Sequence, residues 1–191
     1  MSSWQLGDLN FSVRRGNLSE ASLPAVALGV SPDWTPAGPG AGAIIQAGGS
    51  ELVQSLKDQP DGKPGEVLSM EAGELEADKL LLCALNPRSS VSDPDQFIRD
   101  CYRSLYRAAD NDGMDRLGLQ LLGANDFDYG LDRTTKAAVE VLREMRNDLG
   151  TLREVRLIVY DAIDFNAVDN FARETFEGQP TDSGPSPEDF T

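Results

Sequence analysis

The sequence predicts an α/β domain, with a mostly parallel central sheet and helices on both of its faces. Three observations carry that prediction. From residue 79 onward, apolar runs of strand length alternate with stretches of helical periodicity, the order that builds parallel strands joined by helical crossovers. The run Leu80-Leu81-Leu82-Cys83-Ala84-Leu85 has no polar break, as in a strand covered on both faces. Finally, Gly38-Pro39-Gly40-Ala41-Gly42 passes straight into an apolar stretch with helical potential, a glycine turn opening a helix.

Taken in order, residues 1–9 read as a loose lead-in. Asn10-Phe11-Ser12-Val13-Arg14 alternates polar and apolar side chains like a half-buried strand, and residues 15–19 break it as a turn. Residues 23–30 resume strand character, and Pro32, Pro36 and Pro39 keep 31–39 irregular. A helix is expected over 43–56, with Ile44, Ala47, Leu52 and Leu56 near one face. Residues 58–65 form a polar loop, and 66–70 and 79–85 read as strands. Ser92 or Asp93 caps the helix that Pro94 opens, which carries Phe97, Ile98, Cys101, Leu105 and Ala108 on its inner side. A strand over 117–122 leads into a loop, 123–132, whose Asn, Asp and Gly content is too polar for core. A helix over 134–148 presents Ala138, Val141, Leu142 and Met145. A strand over 155–160 and a helix over 166–176 follow. The domain thus spans 10–177. The Gly/Pro/Ser-rich acidic tail, 178–191, lacks the apolar surface to offset ordering entropy and is expected to be disordered.

The 191 residues suit one domain. They carry 32 acidic and 17 basic side chains, a net charge of −15. That balance repels duplex nucleic acid and anionic membranes, and a soluble, even salt-adapted, surface accounts for it. Any phosphate site must therefore rely on local N–H groups. No segment has the apolar length of a membrane span, and the first residues lack a signal-peptide pattern, so a cytoplasmic location is expected. Histidine is absent, which removes histidine-based catalytic triads and most zinc sites. Cys83 and Cys101 read as buried small hydrophobes. No cofactor or metal ligand set is expected.

The stretch from Gly38 to Ser50 has two readings. A glycine turn before a helix N-terminus suits an anion, through unpaired N–H groups and the positive end of the dipole. Alternatively, small residues there simply let a helix pack closely on the sheet. In parallel sheets ligands bind beyond the carboxyl ends of the strands. The loops 31–42 and 123–132 both follow strands and precede helices, so they should project from the same edge.

Five segments in order resemble the macro domain family. Gly42-Ala43-Ile44 with Ala47-Gly48-Gly49 resembles that family's first glycine-rich loop and its helix. Pro64-Gly65-Glu66-Val67 followed by Leu75-Glu76-Ala77-Asp78-Lys79-Leu80 is similar to its central hairpin-like segment. Cys101-Tyr102-Arg103-Ser104-Leu105 with Ala108-Ala109 resembles the helix before the phosphate loop. Leu121-Leu122-Gly123 through Tyr129-Gly130, and then Lys136-Ala137-Ala138, resemble the second phosphate loop and its helix. The resemblance spans roughly residues 11–176. It implies a three-layer α/β/α fold with a mixed, mostly parallel sheet, and a cleft for ADP-ribose or a related NAD-derived nucleotide, free or attached to a macromolecule. It also implies a ligand-binding set of Asn17, Leu18, Ser31, Gly38, Gly40, Ala41, Gly42, Gly123, Ala124, Asn125, Asp126, Phe127 and Tyr129. Backbone N–H groups of the two loops would hold the diphosphate, and Gly42→Glu would fill that cradle. Phe127 or Tyr129 would cover the distal ribose, or would instead anchor the loop to the domain.

This chain departs from the family pattern in several places. Asn17 stands where the family has an aspartate that contacts adenine. Leu28-Gly29-Val30-Ser31 replaces the asparagine-rich stretch of hydrolytic members, with Ser31 at the matching position. Pro39 removes a backbone donor. The second loop is longer than usual and carries Asp126 and Asp128, which would repel a diphosphate if they faced the cleft without a cation. Lys63-Pro64-Gly65-Glu66 is also similar to the N-terminal domain of leucine aminopeptidases, which shares the fold. The expected function is nucleotide binding. The alternatives are an interaction or scaffolding module that has lost the ligand and, last, an ADP-ribosyl hydrolase whose catalytic residues the sequence leaves unknown.

Overall fold

The computed structural model describes residues 1–176 and the backbone of 182–183. Its strands are β1 (Ser2–Leu6), β2 (Leu9–Arg15), β3 (Ala25–Val30), β4 (Val67–Glu71), β5 (Lys79–Ala84), β6 (Arg116–Leu119), β7 (Glu154–Val159) and β8 (Asp182–Ser183). Its helices are α1 (Pro39–Ala47), α2 (Gly49–Lys57), α3 (Pro94–Asn111), α4 (Leu131–Met145) and α5 (Ala162–Phe176). The strands form one sheet in the order β4-β5-β3-β6-β7-β2-β1-β8. The inner pairs β5–β3, β3–β6, β6–β7 and β7–β2 are parallel. The pairs β4–β5, β1–β2 and β1–β8 are antiparallel. The expected mixed, mostly parallel sheet is what forms.

Strand alternation sorts the core into two layers. Val26, Leu28 and Val30 of β3 and Leu80, Leu82 and Ala84 of β5 pack with Ile44, Ile45, Leu52 and Leu56 of α1 and α2. The intervening Ala25, Ala27, Leu81 and Cys83 face the opposite side, with Ile98, Leu105, Val141, Leu142 and Val168 of α3, α4 and α5. Period-two alternation therefore gives each face of β3 and β5 its own helical cover, which makes a three-layer α/β/α domain. Every residue from Leu80 to Leu85 is fully buried, as the unbroken apolar run requires.

The structure corrects four expectations. The lead-in is not loose: Ser2–Leu6 pairs with β2, and Trp4 is buried against Phe176, with their rings stacked at 4.7 Å. The continuous helix expected over 43–56 is two helices. Gly49 adopts φ +89° and the Gly48 carbonyl turns to accept from the Glu74 N–H at 2.9 Å, which interrupts the helical ladder. The loop 123–132 is not too polar for core, because Phe127 and Tyr129 are buried in it. Two residues of the tail expected to be disordered, Asp182 and Ser183, pair with β1; the remainder of 178–191 lies outside the described residues. Elsewhere the differences are boundary shifts, with α4 starting at Leu131 and α5 at Ala162.

Candidate functional site

Because β3, β6, β7 and β2 run parallel, their carboxyl ends emerge on one edge of the sheet, and the segments that follow them meet there. Between them lies a cleft of about 240 Å³. Its walls are Pro39 and Gly40 from the start of α1, Gln120, Leu121 and residues 123–127 from the connection after β6, and residues 158–161 with Asp164 from β7 into α5. A neighbouring cavity of about 250 Å³ is lined by Arg15, Gly16, Asn17, Glu20 and Arg156 at the end of β2, and Ile158 borders both.

The first wall is braced from behind. Trp34 holds φ +63°, unusual for a bulky residue, and is only 4% exposed. Its indole N–H donates to the Pro60 carbonyl at 2.8 Å, and the Gly62 N–H donates to the Pro32 carbonyl at 2.7 Å. Asp33 closes the turn by accepting from the Thr35 hydroxyl (2.6 Å) and N–H (3.2 Å), which hold its carboxyl below the usual range. Helix α1 then begins with Gly38 as N-cap and no side-chain cap. Pro39 has no N–H, and the Gly42 N–H already bonds to the Gly38 carbonyl at 3.0 Å. The helix-opening donors are therefore the N–H groups of Gly40 and Ala41.

The second wall is tied down by a closed ring of buried hydrogen bonds. The Leu122 N–H donates to Tyr102 Oη at 3.0 Å, and Thr134 Oγ1 donates to the Leu122 carbonyl at 2.9 Å. Thr134 has only one hydroxyl proton, so the 2.6 Å contact between Tyr102 Oη and Thr134 Oγ1 is donated by tyrosine. Burial pushes the Tyr102 hydroxyl well above its ordinary pKa, which keeps that proton in place. Gly123 follows with φ +65°, and a Cβ there would lie 3.0 Å from the Tyr129 ring and 3.1 Å from Phe127 Cβ. The Tyr129 hydroxyl donates to the Asn86 carbonyl at 3.0 Å, and its ring stacks on Phe97. Burial raises its pKa to about 12.

The two walls meet at one point. A Cβ built on Gly38 would overlap the Asp126 carboxylate, both oxygens and Cγ. The third wall, after β7, carries Tyr160, 78% exposed; it and Ile163 in the following helix are the large apolar side chains most open to solvent among the described residues. Asp161 caps α5 by accepting from the N–H groups of Ile163 (2.7 Å) and Asp164 (3.1 Å).

Of the residues predicted from sequence, Gly40, Gly123, Ala124, Asn125, Asp126 and Phe127 come together on the cleft, and Gly38 lies beside it under Asp126. Others do not. Asn17 lines the neighbouring cavity with its amide engaged locally: Oδ1 accepts from the Ser19 N–H and hydroxyl, and Nδ2 donates to Glu20. The side chains of Leu18 and Ala41 are in the core. Ser31 is held in the proline turn, its N–H on the Thr35 carbonyl and its carbonyl accepting from Trp34. Gly42 faces Pro36 rather than the second loop, so a side chain there would not fill the cradle. Tyr129 is a loop anchor, the second of its two expected roles. Sequence reasoning missed Gln120, Ile158, Tyr160 and Asp164. The same strand-end rule applied to the third strand–helix connection, after β7, would have found Tyr160 and Asp164.

The Macro domain family model matches residues 34–138 of this chain, more than half of its length. O-acetyl-ADP-ribose deacetylase 1 of Pantoea vagans is 24% identical over 161 residues, covering 81% of this chain and 94% of that protein. Among solved structures, the Oceanobacillus iheyensis macrodomain with ADP is 12% identical, superposes with a TM-score of 0.83 and covers 92% of this chain and 96% of that one. The Trypanosoma brucei macrodomain in complex with ADP-ribose is 19% identical, with a TM-score of 0.75 and coverage of 84% and 68%.

Proposed function

This chain belongs to the macro domain family, and from that premise we propose that it binds ADP-ribose or a related NAD-derived nucleotide, free or carried on a macromolecule. The observation that carries the reading is the uncapped N-terminus of α1 facing a tightly anchored second loop across a strand-end cleft. In this reading the N–H groups of Gly40 and Ala41 and the backbone of Gly123, Ala124 and Asn125 hold the diphosphate at hydrogen-bond range. Such donors work despite a net charge of −15, because the repulsion from distant surface carboxylates is screened beyond about 8–10 Å. The base end extends past Ile158 toward the Asn17 cavity, and the exposed Tyr160 ring offers a stacking face worth about 1–3 kcal/mol. The Oceanobacillus macrodomain with ADP and the Trypanosoma macrodomain with ADP-ribose support this ligand class.

Titration calorimetry with ADP-ribose tests the reading. Saturable heat is expected, and its absence at high micromolar protein and ligand would remove the proposal. A second reading, turnover of such a ligand, draws on the name of the Pantoea relative. Incubation with O-acetyl-ADP-ribose and measurement of released acetate tests it, and release at the uncatalysed rate would dismiss it. We infer a cytoplasmic setting, where free cysteines such as Cys83 and Cys101 persist, and no partnership with duplex nucleic acid or membranes, given the acidic balance. Among the described residues no helix is long and apolar enough to cross a membrane.

A further inference from the structure

The Asp126 carboxylate lies against Gly38 at the N-terminus of α1, and we propose that it is the specificity-determining residue of the cleft: a resident carboxylate that a diphosphate must displace. The proposal rests on the ADP-ribose reading above. Asp126 belongs to the second loop, yet its carboxylate lies directly over Gly38, the N-cap of α1 in the first loop. Gly38 has φ −146° and ψ 173°, extended backbone that any residue adopts. Its backbone conformation therefore does not demand glycine. What a side chain there would meet is the carboxylate, because any Cβ would occupy the space that Asp126 fills.

Chemistry accounts for the placement. Helix α1 has no side-chain cap and no acidic residue in its first turn. Its positive end and its open donors favour an anion, and the Asp126 carboxylate lies beside that end, against Gly38, without bonding to the donors. With the carboxylate in that position the two loops touch, and the cleft measures about 240 Å³, below the roughly 300–1,000 Å³ of ordinary ligand sites. Asp126 is exposed to solvent, so it can leave the cleft without stranding a buried charge. Ligand phosphate and Asp126 then compete for one place, and both are negative. The penalty falls on ligands that bring a diphosphate and spares those that do not.

Calorimetry on the full chain, with ADP-ribose and with adenosine as probes, tests this in the wild type and in D126A, D126N and D128N. Asp128 lies in the same loop with φ +62°, which asparagine tolerates. It removes the same unit of charge away from Gly38, lining a separate cavity with Arg88 and Pro94. ADP-ribose affinity is expected to rise about tenfold or more in D126A and D126N and to stay within about twofold in D128N. Adenosine should gain nothing in any variant. Wild-type binding with no gain, or a loss, in D126A overturns this proposal and leaves the ADP-ribose reading standing. An equal gain in D128N, or an equal gain for adenosine, also overturns it, since either would reduce the effect to net charge or loop loosening. No binding of ADP-ribose by the wild type removes the ADP-ribose reading, and this proposal with it.

Discussion

Tyr102→Phe removes one oxygen and breaks the ring that ties the second loop to α3 and α4. In the native chain Tyr102 Oη accepts from Leu122 N–H at 3.0 Å and donates to Thr134 Oγ1 at 2.6 Å, and all three groups are buried. Phenylalanine keeps the ring volume, so packing is preserved. What is lost is the partner of the Leu122 N–H, a donor left without water. An unsatisfied buried donor costs about 1–3 kcal/mol, and a chain of this length loses about 2–4 °C of Tm per kcal/mol. Thr134→Val, the companion change, strands the Leu122 carbonyl and the tyrosine proton instead, at a similar cost. Because both act on one network, the double variant should fall short of the sum by about 1 kcal/mol. Urea denaturation followed by circular dichroism measures each corner of the cycle, with the slope m unchanged. If Tyr102→Phe stays within about 0.5 kcal/mol of wild type and the pair is additive, the ring does not hold the loop and the argument fails.

Gly40→Glu, at a helix-opening position that favours acids, should project into the cleft and lower ADP-ribose affinity at least about tenfold (about 1.4 kcal/mol). Gly42→Glu, directed at Pro36, should bind nearly normally, and calorimetry showing the reverse order would refute the placement of α1. Gly62→Ala would drive a methyl group into the Trp34 ring and break its bond to Pro60. A loss of about 1–3 kcal/mol is expected, with a shift in tryptophan emission; an unperturbed spectrum would contradict it. Asp110 accepts from the N–H groups of Gly150, Thr151 and Leu152 at 3.1, 2.7 and 2.8 Å. Burial pushes its carboxyl up, but those three donors and Arg153 outweigh burial and hold it below the usual value. A depressed folded pKa stabilises the fold above the unfolded value of about 3.9, and that contribution fades as pH falls through the folded value. Asp110→Asn should therefore lower the urea midpoint at pH 7, by a gap that narrows as the pH is taken below the unfolded value. A gap that is constant across that range would sink the assignment.

Much of the fold could be read from local pattern, because the pattern is what burial selects. Leu80 to Leu85 are apolar without interruption because both faces of β5 are covered. The Asp93-Pro94 start of α3 was legible because capping is local chemistry, and Asp93 does accept from the Gln96 N–H at 3.0 Å. The failures share a different cause. Trp4 looks like part of a loose lead-in until Phe176, far along the chain, is placed beside it. The break at Gly49 depends on Glu74, whose N–H draws the Gly48 carbonyl away.

The same division runs through the site. By itself the sequence determined a mostly parallel sheet, a glycine turn leading into a helix, and two loops bound for one edge, since strand order and turn chemistry are written in neighbouring residues. Only the tertiary structure decided what each loop residue does there. Phe127 and Tyr129 are both aromatic and two apart, yet one lines the cleft while the other bonds to Asn86 and stacks on Phe97. Asp126 and Asp128 are the same residue type, yet only Asp126 lies over Gly38. These differences arise from where distant segments of the chain meet, and a side chain's role follows from what surrounds it rather than from its kind.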